Sequence, residues 1–251
     1  MKPGVLETRD LSIRFGGQVA VNKVSCGFQP GTLTAIVGPN GAGKTTYFNL
    51  ISGQLRPSAG EIFLGGARLT RISAPVRARR GLGRAFQLTN LFPDLSVLEN
   101  VRLAAQARAD TGLDVFSMAT DHVEIRDRAW AQLERVKLTA RAETPAAVLS
   151  HGDQRKLEVA ILMALEPAVF MFDEPTAGMS VDEMPVVLDL IEGLKATGDK
   201  TILLVEHKMD VVRRLADRVI VLHNGVLVAD GDPAEVVASP IVREAYLGVA
   251  A

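Results

Sequence analysis

Residues 33–46 read Leu-Thr-Ala-Ile-Val-Gly-Pro-Asn-Gly-Ala-Gly-Lys-Thr-Thr and carry the strongest structural signal in the chain. The short apolar run Leu33–Val37 predicts a buried parallel strand, and residues 44–52 predict a helix. Between them, residues 38–45 satisfy the pattern Gly-x-x-x-x-Gly-Lys-Thr in the strand–loop–helix context that this pattern requires. The stretch therefore predicts a phosphate-binding loop (P-loop). The alternative is a glycine-rich turn that matches the pattern by chance.

The residue types in this loop suit a bound phosphate. Glycines let backbone N–H groups close around phosphate oxygens, and the N-terminus of the following helix adds positive potential. Lys44 is expected to neutralise phosphate charge, and Thr45 to offer its hydroxyl to Mg²⁺. The candidate binding residues are Gly38, Pro39, Asn40, Gly41, Ala42, Gly43, Lys44, Thr45 and Thr46.

A second apolar run, residues 169–172, is followed at once by Asp173 and Glu174. A strand buried between helices presents its carboxyl end to the ligand crevice of an α/β sheet. Asp173 is therefore expected to hold Mg²⁺, and Glu174 to orient or deprotonate an attacking water. The alternative is a solvated pair of loop charges.

The rest of the chain predicts an α/β core interrupted by a helical insertion. Residues 5–28 and 60–69 predict strands with glycine turns at 16–17 and 65–66. Residues 97–165 have a helical pattern, most clearly amphipathic over 124–136, and predict a helix over 154–165. Strand and helix patterns alternate from residue 168 onward, and Asn224-Gly225 predicts a type I′ hairpin turn.

Composition limits the class of protein. Hydrophobic residues are 47% and charged residues 23% of the 251 residues, which excludes whole-chain disorder, collagen and coiled coil. The 28 Lys and Arg residues against 29 Asp and Glu leave no excess positive charge to hold nucleic acid. The single cysteine, Cys26, excludes an internal disulfide and a multi-thiolate zinc site and favours a cytoplasmic protein. Neither a signal peptide nor a membrane-spanning helix is expected.

Together with three further motifs, these residues resemble the ATP-binding cassette (ABC) ATPases over nearly the whole chain. Residues 173–176, Asp-Glu-Pro-Thr, are similar to the family's extended second nucleotide motif, and 84–87, Arg-Ala-Phe-Gln, end where the family has its glutamine loop. Residues 149–154, Leu-Ser-His-Gly-Asp-Gln, resemble the family's Leu-Ser-Gly-Gly-Gln signature. His207 matches the switch histidine. Five motifs in the order typical of this family are far more specific for it than any one of them alone.

Other stretches resemble the ATP-binding subunits of branched-chain amino acid importers and their amide or urea relatives. These stretches are 15–17 with 20–22, 84–92, 98–101, 176–179 and 244–248.

The resemblance implies an α/β fold: a P-loop NTPase (RecA-like) core with an N-terminal antiparallel β subdomain and an inserted α-helical subdomain. The whole chain, 1–251, is expected to be a single ABC ATP-binding domain. Residues 1–87 and 166–251 would form the nucleotide-binding core with the β subdomain, and 88–165 the helical subdomain that carries the signature.

The resemblance also implies roles for single residues. Phe15 would stack on adenine, with a core-facing strand aromatic as the alternative. Gln87 would contact Mg²⁺ or the reacting water and sense the transporter. Ser150 and Gly152 would bind the γ-phosphate of ATP held by a second subunit, with a plain helix cap as the alternative for Ser150. His207 would bridge the γ-phosphate and the catalytic region, with a structural strand-end histidine as the alternative.

The resemblance thus implies a set of catalytic residues and a set of metal ligands. The expected catalytic residues are Glu174, His207, Lys44 and Gln87. The expected metal ligands are Thr45, Gln87 and Asp173.

Three positions depart from the family's pattern. His151 replaces the first glycine of the signature, where importer relatives often carry a bulky residue. Asp153 replaces the signature glutamine, and its carboxylate is unfavourable near a phosphate unless it points away or a cation such as Arg155 or Lys156 neutralises it. Ser180 stands in the dimer-contact loop where an aspartate is common.

Two further clusters have competing interpretations. The apolar residues after Gln87 border, in the family, the groove that receives a permease's coupling helix; the alternative is an ordinary loop packed on the helical insertion. These residues are Leu88, Leu91, Phe92 and Pro93. The arginines at 77, 79, 80 and 84 are interpreted as a solvated face in preference to a contact with partner acids or lipid, and Trp130 is assigned to the core.

The implied function is that of the ATP-hydrolysing subunit of an ABC transporter importing a small polar solute. Branched-chain or related amino acids are the favoured cargo, and urea or amides the alternative. ATP and Mg²⁺ are the expected cofactors. A homodimer, or a heterodimer with a related ATPase, would sandwich two ATP molecules and act on transmembrane permease subunits at the inner face of the membrane. An extracytoplasmic solute-binding protein would take part indirectly, and no nucleic acid is expected.

Three rival functions remain. A soluble ABC ATPase of repair or translation would need long coiled coils, zinc cysteines or a second cassette, and the chain has one P-loop and one cysteine. A P-loop small-molecule kinase gives no reason for the signature and Glu174 together. A non-catalytic binding module has no need of Lys44, Asp173 and Glu174.

Overall fold

The structure, a computed structural model, describes residues 4–85, 91–108 and 123–240. This part of the chain divides into two compact units. The first contains the described residues up to 84, with 168–174 and those from 194 onward; the second contains those within 85–167, with 175–193. Residues 175–193 thus lie with the helical segments, whereas the sequence-based division placed them in the nucleotide-binding core.

The described residues alternate between strands and helices. In chain order the strands are β1 (Leu6–Phe15), β2 (Gln18–Phe28), β3 (Leu33–Val37), β4 (Ala59–Leu64), β5 (Ala67–Arg68), β6 (Leu82–Ala85), β7 (Val169–Asp173), β8 (Thr201–Val205), β9 (Arg218–His223) and β10 (Val226–Gly231). The helices are α1 (Lys44–Ser52), α2 (Ala74–Arg79), α3 (Val97–Arg108), α4 (Val123–Arg135), α5 (His151–Ala164), α6 (Met184–Ala196), α7 (Met209–Leu215) and α8 (Pro233–Ala238). Short 3₁₀ helices cover Thr139–Arg141 and Ala146–Val148.

An antiparallel sheet with the order β2-β1-β4-β5 lies in the first unit. Phe15 pairs with Gln18 across the turn at 16–17, and Leu64 pairs with Ala67 across the turn at 65–66. Both hairpins predicted from paired glycines are therefore confirmed.

A six-stranded sheet with the order β10-β9-β3-β8-β7-β6 forms the core of the first unit. β3 runs parallel to β8 and β9, and β7 runs parallel to β8. Ile36 of β3 packs in a cluster with Phe48 of α1, while Ala35 and Val37 join a separate cluster with Val212 of α7. Because successive strand residues point to opposite faces, the sheet is buried on both sides. Because β3, β7, β8 and β9 run parallel, their carboxyl ends lie along one shared edge of the sheet.

The second unit is mainly helical. α3, α4 and α5 contact one another, and an isolated bridge between Ser96 and Pro145 joins the segments before α3 and α5. α5 begins at His151, three residues earlier than the predicted helix over 154–165, because Ser150 caps its first turn. Trp130 was assigned to the core, yet it is 39% exposed on α4.

The expectation of a solvated arginine face is wrong for two of its four members. Arg77 is 1% exposed, and its guanidinium donates to the carbonyls of Leu50, Ile51, Thr70 and Ile72. Two of these carbonyls lie in the last turn of α1, where helix carbonyls lack intrahelical partners. Burial lowers the pKa of Arg77 to about 10, so the side chain keeps its charge at neutral pH. The second buried member, Arg84, belongs to the functional site.

Among the helices within 4–85, 91–108 and 123–240, none is long and apolar enough to cross a membrane.

We expect the thiol of Cys26 to be unreactive in the native protein. Cys26 lies on β2 with 5% of its surface exposed, and burial raises its pKa to about 11 from 9.0. Since the thiolate is the reactive form, the native thiol should react with Ellman's reagent at least about 100-fold more slowly than the same thiol in urea. Rapid titration of the one cysteine in the folded protein would contradict its burial.

Candidate functional site

The P-loop, residues 38–45, leaves the carboxyl end of β3 and passes between β2 and β9. Gly38 has φ +148°, and a Cβ there would collide with the carbonyl of Leu222 on β9. Gly43 has φ +97°, and a Cβ there would lie 2.5 Å from the carbonyl of Ala20 on β2. Both positions therefore require glycine on steric grounds. A Cβ at Gly41 would meet open space, so that side of the loop is accessible.

Lys44, the first residue of α1, folds back over the loop. Its Nζ donates to the carbonyls of Gly38 at 2.6 Å and Pro39 at 3.0 Å, and the residue is 8% exposed. Burial lowers the pKa of Lys44, while the nearby carboxylates of Glu174 and Asp173 oppose that shift. A buried ammonium group is thus fixed at the mouth of the loop.

A pocket of about 360 Å³ opens over this loop. Most of its walls come from residues 40–46, with Glu174 on one side and the start of β2 on another. The β9–β10 turn completes it with Asn224 and Gly225, whose φ angles of +48° and +75° fit the predicted type I′ turn. Phe15 is 50% exposed and pairs with the lining residue Gln18, so it is not the core-facing aromatic of the alternative interpretation.

The pairing of β7 with β8 sets the positions of the Asp173 and Glu174 carboxylates. Asp173 ends β7 opposite Val205, which ends β8. The N–H of Glu174 donates to the carbonyl of Val205 at 2.9 Å, and Glu174 has φ +48°, a left-handed backbone that is strained for a residue with a side chain. This turn directs the Glu174 side chain into the pocket, whereas Asp173 stays buried.

Glu174 and His207 lie close together because β7 and β8 end side by side. His207 Nδ1 is 3.5 Å from Glu174 Oε1, and the His207 side chain is 54% exposed. The buried carboxylate of Glu206 accepts from the N–H groups of His207 at 2.9 Å and Lys208 at 3.0 Å, which fixes the turn between β8 and α7. The exposure of His207 argues against a purely structural strand-end histidine. Sequence reasoning missed Glu206, although an acidic residue directly after a buried strand is a signal for such a cap.

Arg84 on β6 is the other residue that sequence reasoning missed. Its Nη2 donates to Asp173 Oδ2 at 2.7 Å, with the two side chains 5% and 0% exposed. Its Nη1 donates to Asn49 Oδ1 at 2.6 Å and Ser52 Oγ at 3.0 Å, and its guanidinium carbon lies 5.1 Å from the centre of the Phe48 ring. One side chain therefore joins β6, β7 and the helix that follows the P-loop. One arginine among several neighbouring arginines gives no sequence signal for this role.

The donors near the loop suit Mg²⁺. Asp173 Oδ1 is buried and has no hydrogen-bond partner in the part of the chain that the structure describes. Thr45 adds a hydroxyl among the residues that line the pocket. Mg²⁺ prefers oxygen ligands and is usually held by one or two protein groups together with substrate phosphates. Among the described residues there is no cluster of three or more His, Cys, Asp or Glu side chains that could hold a metal ion.

The signature residues lie in the second unit. Ser150 is the N-cap of α5, its Oγ accepting from the N–H of Asp153 at 3.2 Å, as the helix-cap alternative expects. Gly152 is buried in the first turn. The side-chain amide of Asn100 on α3 stabilises the loop that precedes this helix. Its Nδ2 donates to the carbonyls of Phe92 at 3.1 Å and Leu95 at 3.3 Å. Phe92 remains 57% exposed on that loop. Gln87 and Leu88 lie outside the described residues.

Comparison with known proteins agrees with this geometry. A sequence model of the family described as "ABC transporter" matches residues 21–177, and one described as "Branched-chain amino acid ATP-binding cassette transporter" matches 226–251. The chain is 38% identical to the high-affinity branched-chain amino acid transport ATP-binding protein LivG of Escherichia coli (strain K12), covering 100% of both chains.

Two solved structures are also similar. An ATP-binding cassette of an ABC transporter in its ADP conformation superposes with a TM-score of 0.82 at 28% identity, over 98% of this chain and 99% of that one. A dimeric ATP-binding cassette in a post-hydrolysis state, bound to ADP and Pi, gives a TM-score of 0.78 at 25% identity, over 91% and 98%.

A P-loop at the end of β3, in the same parallel sheet as β7 with its terminal Asp173 and the following Glu174, defines a P-loop nucleoside triphosphatase. Within that class the chain belongs to the ATP-binding subunits of ABC transporters, in the branch that includes the branched-chain amino acid importers. It is a nucleotide-binding ATPase, and the predicted fold class and family are confirmed.

Arg84→Met should destabilise the protein strongly. It leaves the buried Asp173 carboxylate without its ion-pair partner, which typically costs about 3–5 kcal/mol. Urea unfolding followed by circular dichroism measures the loss. The matched control is Arg80→Met, because Arg80 is an exposed arginine from the same segment and should change the free energy of unfolding by less than about 0.5 kcal/mol. Equal stability of the two variants would rule out a structural role for the ion pair.

Proposed function

We propose that Glu174 is the general base of ATP hydrolysis in this chain. The observation that carries the proposal is its position: its carboxylate lines the P-loop pocket and lies 3.5 Å from His207. A carboxylate at that point can accept a proton from a water that attacks the γ-phosphate. His207 would orient Glu174 on one side and contact the γ-phosphate on the other.

The remaining pocket residues would bind and orient the nucleotide. The backbone of residues 38–46 and the N-terminus of α1 would surround the phosphates, and Lys44 would exchange its loop carbonyls for phosphate oxygens. Phe15, half exposed beside the pocket, would stack on adenine. Asp173 and Thr45 would hold Mg²⁺, which when bound would supply positive charge against the phosphate charge. The Gln87 side chain is proposed to complete this set.

We further propose that two ATP-binding subunits sandwich the nucleotides. Ser150 and Gly152 begin α5, and the positive end of that helix suits a phosphate presented by another subunit. The similar cassette solved as a dimer with ADP and Pi supports this arrangement. Either a second copy of this chain or a related ATPase would serve as the partner.

The membrane partner would be a permease that docks on the second unit, placing the ATPase at the cytoplasmic face. Phe92 and Leu95 are exposed apolar residues on a loop that Asn100 holds in place. A fixed apolar surface of this kind suits a short helix of another protein. The full-length match to a branched-chain amino acid transport protein favours branched-chain or related amino acids as cargo over urea or amides.

Glu174→Gln should bind MgATP, dimerise and lose hydrolysis by at least about 100-fold, since the amide keeps the shape of the side chain but cannot accept the proton. A phosphate-release assay measures turnover, and size-exclusion chromatography with ATP detects the dimer. Glu235→Gln, an exposed carboxylate on α8, is the matched control and should retain turnover. Full activity in Glu174→Gln would remove Glu174 from the role of base.

The permease surface can be tested by affinity purification from solubilised native membranes, with mass spectrometry of the captured proteins. The unmodified chain should bring down polytopic permease subunits. Phe92→Asp should lose them while keeping its basal ATPase activity, because the new carboxylate lies on the proposed contact. Val123→Asp changes an equally exposed apolar residue, at the start of α4, and should keep them. Recovery of soluble partners alone would contradict a transport function.

A further inference from the structure

Asp153 and Ser180, two positions that depart from the family's pattern, belong to one side-chain network in the second unit. Lys156 Nζ donates to Asp153 Oδ1 at 2.9 Å and lies 3.6 Å from Glu183 Oε1. The other oxygen of Glu183 accepts from the backbone N–H of Ser180 at 3.1 Å and from its hydroxyl at 2.9 Å. Lys156 and Glu183 therefore connect the two unusual residues.

This network is packed against the signature backbone. A Cβ on Gly152 would collide with both carboxylate oxygens of Glu183. Gly152 lies between the N-cap Ser150 and Asp153 in the first turn of α5. The Glu183 carboxylate thus occupies the space that a side chain at position 152 would need, and it joins the loop before α6 to the start of α5.

The cation in the network is Lys156. The sequence left Arg155 and Lys156 as alternative partners for Asp153, but Arg155 pairs with Glu158 at 2.7 Å. The Lys156 side chain is only 12% exposed, and those of Asp153 and Glu183 are 23% and 28% exposed, so solvent screens the group incompletely. Bonds from Ser180 lower the pKa of Glu183, which keeps that carboxylate ionised at neutral pH. One ammonium group therefore offsets the charge of only one of the two carboxylates, and the three side chains together keep a net negative charge.

We infer that Lys156 is a positioning residue for the ATP sandwich: it offsets the charges of Asp153 and Glu183 beside the first turn of α5 and ties that turn to the loop carrying Ser180. The inference rests on the proposed function, in which this turn receives the γ-phosphate of ATP bound to another subunit. Without Lys156, two uncompensated carboxylates would face an approaching polyanion, and like-charge contacts across an interface are strongly unfavourable.

The test uses the full chain carrying Glu174→Gln, so that ATP is bound without being consumed. We compare this parent with versions that add Lys156→Met, Lys156→Arg, or Lys156→Met together with Asp153→Asn. Analytical ultracentrifugation gives the ATP concentration for half-maximal dimerisation. A fluorescent ADP analogue measures the nucleotide affinity of the P-loop in the monomer. The P-loop lies in the first unit, so this affinity should not respond to the substitutions at Lys156 and Asp153.

Lys156→Met should raise the ATP concentration for half-maximal dimerisation by at least about 10-fold and leave the affinity for the ADP analogue within about two-fold of the parent. Lys156→Arg should retain dimerisation, because the charge is kept. Adding Asp153→Asn to Lys156→Met should recover most of the loss, because it restores the net charge of the parent network. The loss should also shrink when NaCl is raised from about 50 to about 300 mM, because the repulsion is screened.

The outcomes separate the two levels of the argument. A parent that stays monomeric with MgATP overturns the ATP sandwich and this inference with it. Dimerisation of Lys156→Met at the ATP concentrations of the parent overturns the inference alone. If Lys156→Met fails to fold, the charge-restored double variant decides: a folded double variant that still needs about 10-fold more ATP overturns the electrostatic role. Arg126→Met, an exposed cation lost from α4, is the control for a general effect of charge.

Discussion

Parallel pairing of β3, β7 and β8 is the constraint on which the functional site depends. These strands end along one edge of the sheet, and the register that sets Asp173 opposite Val205 ends β7 and β8 at the same level. The P-loop, the carboxylates of Asp173 and Glu174, and the turn that carries His207 all lie at that edge. No long side chain has to reach across the molecule, because the backbone alone brings these groups together.

Arg84 shows how a buried charge is accommodated beside such a site. A carboxylate in a buried position needs a partner, and here the guanidinium of Arg84 supplies it while its other nitrogen holds two side chains of α1. One carboxylate oxygen is left without a partner among the described residues and remains available to a cation. The ion pair that stabilises the fold and the metal contact that we propose thus use different oxygens of the same aspartate.

Strong local patterns predicted much of the fold. The strand Leu33–Val37, the helix Lys44–Ser52 and the glycine turns were predictable because their periodicity and turn residues act locally. The buried Arg77 and Arg84 were not, since arginines close together in sequence give no sign of which guanidinium meets a carbonyl or a carboxylate after folding. The pairing of Lys156 with Asp153 follows helical spacing, but the return of Glu183 to Gly152 depends on tertiary structure.

The placement of β3 has a consequence for how the protein is made. β3 lies between β8 and β9, strands encoded more than 160 residues later, and the N–H of Leu33 is bonded to the Asp217 side chain at 2.9 Å. During synthesis on the ribosome, the P-loop strand emerges early and has neither neighbour until most of the chain has been translated. A nascent chain halted before β9 exposes an apolar, unpaired strand edge. The strand that leads into the P-loop therefore gains its second neighbour only after residues 218–223 have been made.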